Sequence, residues 1–305
     1  MTNMYWPVYK NLETEVTSLM YSIHVDDLQL AVYSSRISDL IIRSVVEIES
    51  ISKTLYFENG GKKRKNIHFD YDALSFLDDV WKLSSKIIII NNVNCFQSEK
   101  ILKPFVPDYR TSAGKLTYSW NNAYQSLKHD RINSLHMGNL KSLFNSMAAL
   151  FVLNVYYKKE RYDLADDANG TKFLLNLGSD IFSIKLHNEP GVSGDGTYTK
   201  KVDFIECVYL LKPTDETSKD AVRVLRKAFS GENYIKEKMN LINHVANKEI
   251  NSGNKDEAKL RRVLDQKSKE FDNNLLIQEI KKNPKEIKTA FDAMRYEAVL
   301  NKNQV

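Results

Sequence analysis

The sequence predicts a mainly α-helical protein with a small β element and a helical C-terminal region. Glycine and proline are sparse, at 11 and 6 of 305 residues, which disfavours an all-β fold with many tight turns. Apolar residues recur at helical spacing over residues 25–56. The stretch Met147 to Tyr157 is almost entirely apolar, as expected of a helix inside a packed core.

The first predicted domain, residues 1–160, is helical. Its clearest helix covers residues 25–56 and ends at Asn59-Gly60-Gly61, a sequence typical of helix C-termini. Ile42 and Val46 lie opposite the main apolar face of this helix. The helix is therefore expected to have neighbours on two sides, which favours a homodimer or a hetero-complex with a cognate partner protein.

The remaining elements of this domain follow in order. A second helix is predicted over residues 70–87, and Ile87 to Ile90 fits either a helix end or a strand. Residues 96–116 contain two prolines and are predicted to form a loop. The next helix runs from Trp120 towards His136, and the last, Leu140 to Lys159, is predicted to be buried.

Two further regions complete the predicted organisation. Residues 161–212 form the small β element, because residues 182–187 alternate at strand spacing and residues 202–211 are strand-like. Residues 191–197 between them are predicted to be a flexible connection. Residues 213–305 are predicted to be helical and weakly basic, with 19 Lys/Arg against 15 Asp/Glu.

Composition limits the classes of function. Cys95 and Cys207 are too few for a disulfide framework or a cysteine-rich zinc site, which favours a reducing cytoplasm. The six histidines show no metal-ligand spacing, and no phosphate-binding loop is present, so neither metal nor cofactor is expected. The longest apolar run has 11 residues, whereas a membrane span needs about 20, so no membrane insertion is expected.

The segment from Trp120 to His136 concentrates polar groups beside an apolar element. Trp120 and Tyr124 lie on the helix face expected to enter the core, with Arg131 along the same face. Asn122, His129 and His136 lie on the opposite face, and Lys128 lies near the boundary. A buried Arg131 would require a carboxylate, for which Glu47 and Glu49 are candidates.

A basic run, Lys62, Lys63, Arg64 and Lys65, follows the predicted end of the first helix. Such a run is either a solvated turn or a contact site for an anion or nucleic acid. The net charge of +5 is modest and compatible with both interpretations.

These residues resemble a known family. Arg131-Ile-Asn-Ser-Leu-His136 matches the R-x4-6-H motif of HEPN proteins. The run from Asn122 to His129 is similar to the W-x-x-Y-N-x-x-K-H-x-R stretch of several uncharacterised bacterial HEPN-like proteins. The resemblance covers residues 25–160 and implies a HEPN-like helical bundle.

The resemblance implies a metal-independent endoribonuclease of bacterial phage defence or toxin–antitoxin systems. Arg131 would hold the scissile phosphate and His136 would move protons, with RNA as the partner. The supporting residues would be Asn122, Lys128, His129 and Glu47. In a continuous helix these two side chains point about 140° apart. They converge only if the helix ends near Ile132 or if a second protomer completes the site. The alternative is a non-catalytic helical module that binds a partner protein or nucleic acid.

Overall fold

The computed structural model describes residues 4–91, 100–111, 114–188, 198–219, 223, 232–251, 257–282 and 284–304. Helices hold 59% of the residues and strands 13%, which confirms the mainly α prediction. Within the described ranges, no helix is sufficiently long and apolar to cross a bilayer.

Short strands are interspersed among the helices along the chain. The α-helices are α1 (Tyr5–Ser22), α2 (Ser35–Glu58), α3 (Ser75–Trp81), α4 (Ser119–His129), α5 (Arg131–Ser134), α6 (Leu140–Lys158), α7 (Glu232–Asn251), α8 (Glu257–Lys282) and α9 (Pro284–Asp292). The strands are β1 (Ile88–Ile90), β2 (Lys100–Leu102), β3 (Tyr109–Arg110), β4 (Leu116–Thr117), β5 (Tyr162–Ala165), β6 (Phe182–Ile184), β7 (Leu186–His187), β8 (Tyr209–Pro213) and β9 (Tyr296–Leu300).

Helix α6 lies at the centre of the core. Every residue from Ser146 to Tyr156 is buried, which confirms the prediction for this apolar run. Helix α2 packs along α6, and the hydroxyls of Ser44 and Ser146 meet at 2.9 Å because both side chains are small. Each fully buried large apolar side chain contributes about 1.5–3 kcal/mol, so α6 is a main source of stability.

The predicted end of α2 is confirmed, whereas its predicted start is wrong. The predicted helix began at residue 25, whereas α2 begins at Ser35. The Ser34 hydroxyl caps the helix by accepting the backbone N–H of Ile37 at 3.2 Å. The helix ends at the predicted stop, where Gly60 adopts a φ of 91° that favours glycine.

The predicted helix over residues 70–87 is shorter than expected. A π-helical turn, Phe69–Leu74, leads into α3, which ends at Lys82 with a φ of 57°. Ile88–Ile90 is a strand, which resolves the alternative left open by the sequence. The predicted loop over residues 96–116 contains β2 and the hairpin of β3 and β4, while its residues 96–99 and 112–113 lie outside the described ranges.

Three small sheets surround the helices. In the first, β1 pairs with β2 and β6, both antiparallel. In the second, β3 and β4 form an antiparallel hairpin in which Tyr109 faces Thr117. The third has the order β5-β9-β8-β7, with β7 parallel to β8. The strand predicted over 202–211 starts only at Tyr209, because Phe204–Glu206 forms a 3-10 turn. The predicted connection at 191–197 lies outside the described ranges.

The C-terminal region is not helical throughout, because it returns to the sheet as β9. This strand pairs with β8 over its whole length, and Thr214 donates its N–H to the Arg295 carbonyl at 2.8 Å. The described helices α7, α8 and α9 are therefore inserted between the two paired strands β8 and β9. Tyr234 stacks on Phe271 at 6.1 Å between α7 and α8. No side chain that the structure describes in this insertion is fully buried.

Candidate functional site

The segment from Trp120 to His136 is interrupted at Asp130. Helix α4 ends at His129, and Asp130 leaves helical geometry with φ −149° and ψ 67°. Its carboxylate then caps α5 by accepting the N–H and the side-chain amide of Asn133, the latter at 3.0 Å. Trp120 and Tyr124 are buried as predicted, but the residues beyond Asp130 do not continue the buried face of α4.

Arg131 is exposed rather than buried. Its guanidinium forms an ion pair with Asp39 of α2 and donates to the Ser35 carbonyl at 3.2 Å. The two side chains of the pair are 42% and 60% exposed. The expectation of a buried Arg131 with Glu47 or Glu49 as its partner is therefore wrong, because the break at Asp130 turns Arg131 towards the start of α2.

The two glutamates predicted as partners have other surroundings. Glu49 forms an ion pair with Lys53 at 2.6 Å on the same helix. The Glu47 carboxylate has no hydrogen bond or ion pair to any residue that the structure describes. Partial burial raises the pKa of the Glu47 carboxyl. Neither glutamate therefore supports Arg131.

His136 lies in the 3-10 turn that follows α5, and its ring is exposed. The backbone here is held close to α2. A Cβ on Gly138 would lie 2.0 Å from the Ser38 hydroxyl, so only glycine fits. Asn139 caps α6 by accepting the N–H of Ser142 at 3.0 Å. Within the described chain, no hydrogen bond joins Arg131 to His136, although both are exposed on the short segment formed by α5 and this 3-10 turn.

Exposed apolar side chains lie in and beside this segment. Ile132 of α5 is 92% exposed. Tyr33 is also exposed and lies next to the segment, because its backbone forms an isolated antiparallel bridge with Asn139. We call Tyr33, Arg131, Ile132 and His136 the motif surface. Apolar residues exposed together beside charged groups are typical of interaction surfaces.

Two of the predicted supporting residues line a separate cleft of about 530 Å³. It lies between α2, the π-helical turn, the β3–β4 hairpin and α4. Asn122 and Lys128 line it from α4, whereas His129 is exposed and is not among its lining residues. The other lining residues are Glu49, Ile67, His68, Phe69, Asp70, Tyr71, Arg110, Thr111, Thr117, Asn121 and Gln125.

A buried polar group forms one wall of this cleft. One oxygen of Asp70, Oδ2, accepts the Thr117 hydroxyl and the Asn121 amide, each at 2.9 Å. The same amide nitrogen donates to the Thr117 hydroxyl at 2.8 Å. We call these three residues the amide cluster. Sequence reasoning missed it, because its members come from three elements; the only available signal was the paired Asn121-Asn122 beside the predicted core aromatics.

The basic run is partly engaged in local contacts. Lys63 forms an ion pair with Asp72, and the Arg64 guanidinium lies 5.1 Å from the centre of the Phe57 ring. Burial would raise the pKa of Asp72, but the Lys63 ammonium and the His68 N–H hold it below its usual value. Lys62 and Lys65 are exposed and have no hydrogen bond or ion pair to the described part of the chain.

No protein-family model matches the chain, and no match was found among curated proteins or solved structures.

Proposed function

We propose that the chain is a HEPN-like, metal-independent endoribonuclease whose site is completed by a second copy. The observation that supports this most is the joint exposure of Arg131, in α5, and His136, in the 3-10 turn that follows it. An arginine and a histidine available to solvent are suited to bind an anionic phosphate and to transfer a proton.

The reaction would be an attack of the RNA 2′-hydroxyl on the adjacent phosphorus. The His136 imidazole would take the proton of the 2′-hydroxyl. A 2′-O–P bond forms and the bond from phosphorus to the 5′ oxygen breaks, which leaves a cyclic phosphate. The departing 5′ oxygen takes up a proton from water, and the protonated His136 returns its proton to the solvent. Arg131 would exchange Asp39 for the phosphate and stabilise its developing charge.

A second copy is proposed because Arg131 and His136 share no hydrogen bond within the described chain and because apolar residues beside them are exposed. Arg131 begins α5, whereas His136 lies in the 3-10 turn that follows it. A two-fold interface brings the same surface of both copies together, and in the proposed dimer Arg131 of one copy faces His136 of the other. Ile132 and Tyr33 would then be buried in the contact.

Single substitutions test the proposal. Arg131→Ala and His136→Ala should each reduce cleavage of total cellular RNA, measured with EDTA present, by at least about a hundredfold. Arg43→Ala and His24→Ala are matched controls, because Arg43 is a similarly exposed ion-paired arginine and His24 a similarly exposed histidine. Equal cleavage by all four variants, or no cleavage by the parent protein, would reject the proposal.

A non-catalytic module that binds a partner protein or nucleic acid is the second candidate. The ion pair between Arg131 and Asp39, together with the bond to the Ser35 carbonyl, favours it, since these contacts give Arg131 a structural role. In that case the parent protein cleaves no RNA, and the motif surface serves only as a contact surface.

A further inference from the structure

The cleft beside α4 presents hydrogen-bond acceptors that no described residue satisfies. Asn121 is 2% exposed, and its Oδ1 has no hydrogen-bond partner although both hydrogens of its amide are used. The second oxygen of Asp70, Oδ1, accepts no hydrogen bond from the described part of the chain. A buried acceptor left without a donor is unfavourable, and Asn121 Oδ1 is such an atom. A ligand that donates one hydrogen bond to Asn121 Oδ1 and a second to Asp70 Oδ1 would therefore be favoured here.

Basic side chains also line the same cleft. Lys128 of α4 and Arg110 of β3 are among its lining residues, and the Lys115 ammonium lies 4.2 Å from the centre of the Tyr71 ring, which lines the cleft as well. A simple cationic ligand would be repelled by these groups, although it would suit Asp70. The arrangement instead favours a ligand with an anionic end outside and N–H donors inside.

An aromatic pair lies between the two ends. His68 stacks on Tyr71 with ring centres 4.5 Å apart, and both residues line the cleft. Proteins that bind single-stranded RNA or nucleotides stack planar bases on such side chains and read their Watson–Crick edges by hydrogen bonds.

We infer that this cleft binds a guanine nucleotide, with the base against the amide cluster and the phosphate near Lys128 and Arg110. Guanine carries adjacent N–H donors at N1 and N2, which match the free oxygens of Asp70 and Asn121. On its Watson–Crick edge, adenine or cytosine has one N–H donor group beside a ring-nitrogen acceptor. Uracil has a single N–H donor on this edge. The nucleotide is either free or part of an RNA strand. The inference is independent of the ribonuclease proposal, because neither Arg131 nor His136 lines the cleft.

Calorimetric titration of the full chain tests this inference without any measurement of RNA cleavage. GMP should bind at least about tenfold more tightly than AMP, UMP or inorganic phosphate, a difference of about 1.4 kcal/mol. A guanine-containing tetranucleotide distinguishes the sources: tighter binding of the tetranucleotide supports RNA, and tighter binding of GMP supports a free nucleotide. Equal binding of all nucleotides, or no binding of either GMP or the tetranucleotide, would overturn the inference.

Two variants separate the contacts to the base from those to the phosphate. Asp70→Asn keeps an acceptor for Thr117 and Asn121 but offers a donor to the ligand. It should weaken GMP binding by at least about tenfold and favour xanthosine monophosphate, which has a carbonyl oxygen in place of the guanine amino group. Lys128→Ala should weaken binding of GMP but not of guanosine, whereas the exposed Lys141→Ala should change neither. Loss of guanosine binding in Lys128→Ala, or unchanged preference in Asp70→Asn, would contradict the assignment.

Discussion

The motif surface and the amide cluster are both polar, but they differ in burial and in how they are assembled. Arg131 and His136 lie five positions apart on the exposed segment of α5 and its following 3-10 turn, and Arg131 contacts Ser35 and Asp39 near the start of α2. Asp70 and Asn121 are 7% and 2% exposed and lie 51 positions apart in sequence. Removing a residue of the motif surface should therefore affect RNA cleavage more than the stability of the fold. Removing a residue of the amide cluster should affect stability more than RNA cleavage.

The largest expected effect is on the stability of the amide cluster. Asp70→Ala should lower the free energy of unfolding by about 3 kcal/mol or more, because it removes a charged acceptor shared by two buried donors. Urea denaturation measures the change. Asp39→Ala is the matched control, since this aspartate is exposed and ion-paired, and it should cost about 1 kcal/mol or less. Equal losses in the two variants would remove the distinction between the two clusters.

A buried lysine, Lys86, should make the stability of the protein depend on pH. The Lys86 side chain is fully buried, and its ammonium donates to the carbonyls of Ile205 at 2.9 Å and Cys207 at 3.0 Å. Burial lowers the pKa of Lys86 from 10.5 to about 8. Between these two values the unfolded chain binds more protons than the native protein, so stability should rise with pH. The cost of burying the charged form is fully present below pH 8 and disappears above the unfolded pKa.

The expected gain from this group is up to about 3 kcal/mol between pH 7.5 and 10.5. Urea denaturation of the parent protein and of Lys86→Met across this interval isolates it from other titrating groups. The stability of the parent should rise relative to that of the variant. A constant difference between the two proteins at every pH would show that Lys86 does not titrate with a lowered pKa in the native state.

A small effect is expected at the motif surface. Arg131→Ala should change the free energy of unfolding by about 1 kcal/mol or less, because the pair with Asp39 is exposed and screened by solvent. A buried arginine would instead cost about 3–5 kcal/mol. Denaturation at low and high salt measures this difference. A loss in the larger range would mean that Arg131 is a structural residue and would favour the non-catalytic alternative.

Local patterns predicted much of the fold. The Gly60 stop and the burial of α6 followed from residues within a few positions of each other. The start of α2 and the break at Asp130 did not, since a side-chain cap at Ser34 and at Asp130 overrides the helical periodicity there. β9 was missed because strand pairing with β5 and β8 depends on residues more than 80 positions away.

The same limit applies to the candidate sites. The R-x4-H spacing identifies Arg131 and His136 directly. It does not predict the interruption of the helix at Asp130, which leaves both residues exposed. Asn122 and Lys128 were named as supporting residues, while Asp70 and Thr117 carry no motif of their own. Their contact with Asn121 exists only because the π-helical turn and the β3–β4 hairpin meet α4.

Mixing two inactive variants tests the shared ribonuclease site most directly. Arg131→Ala and His136→Ala are each expected to be inactive alone. If Arg131 of one copy works with His136 of the other, mixed dimers regain one intact site, and an equimolar mixture recovers up to about a quarter of parental RNA cleavage. This recovery is the expected result, and it should be lost when a doubly substituted chain replaces either partner. No recovery from the mixture, under conditions in which parental dimers are shown to exchange subunits, would contradict a site shared between two copies.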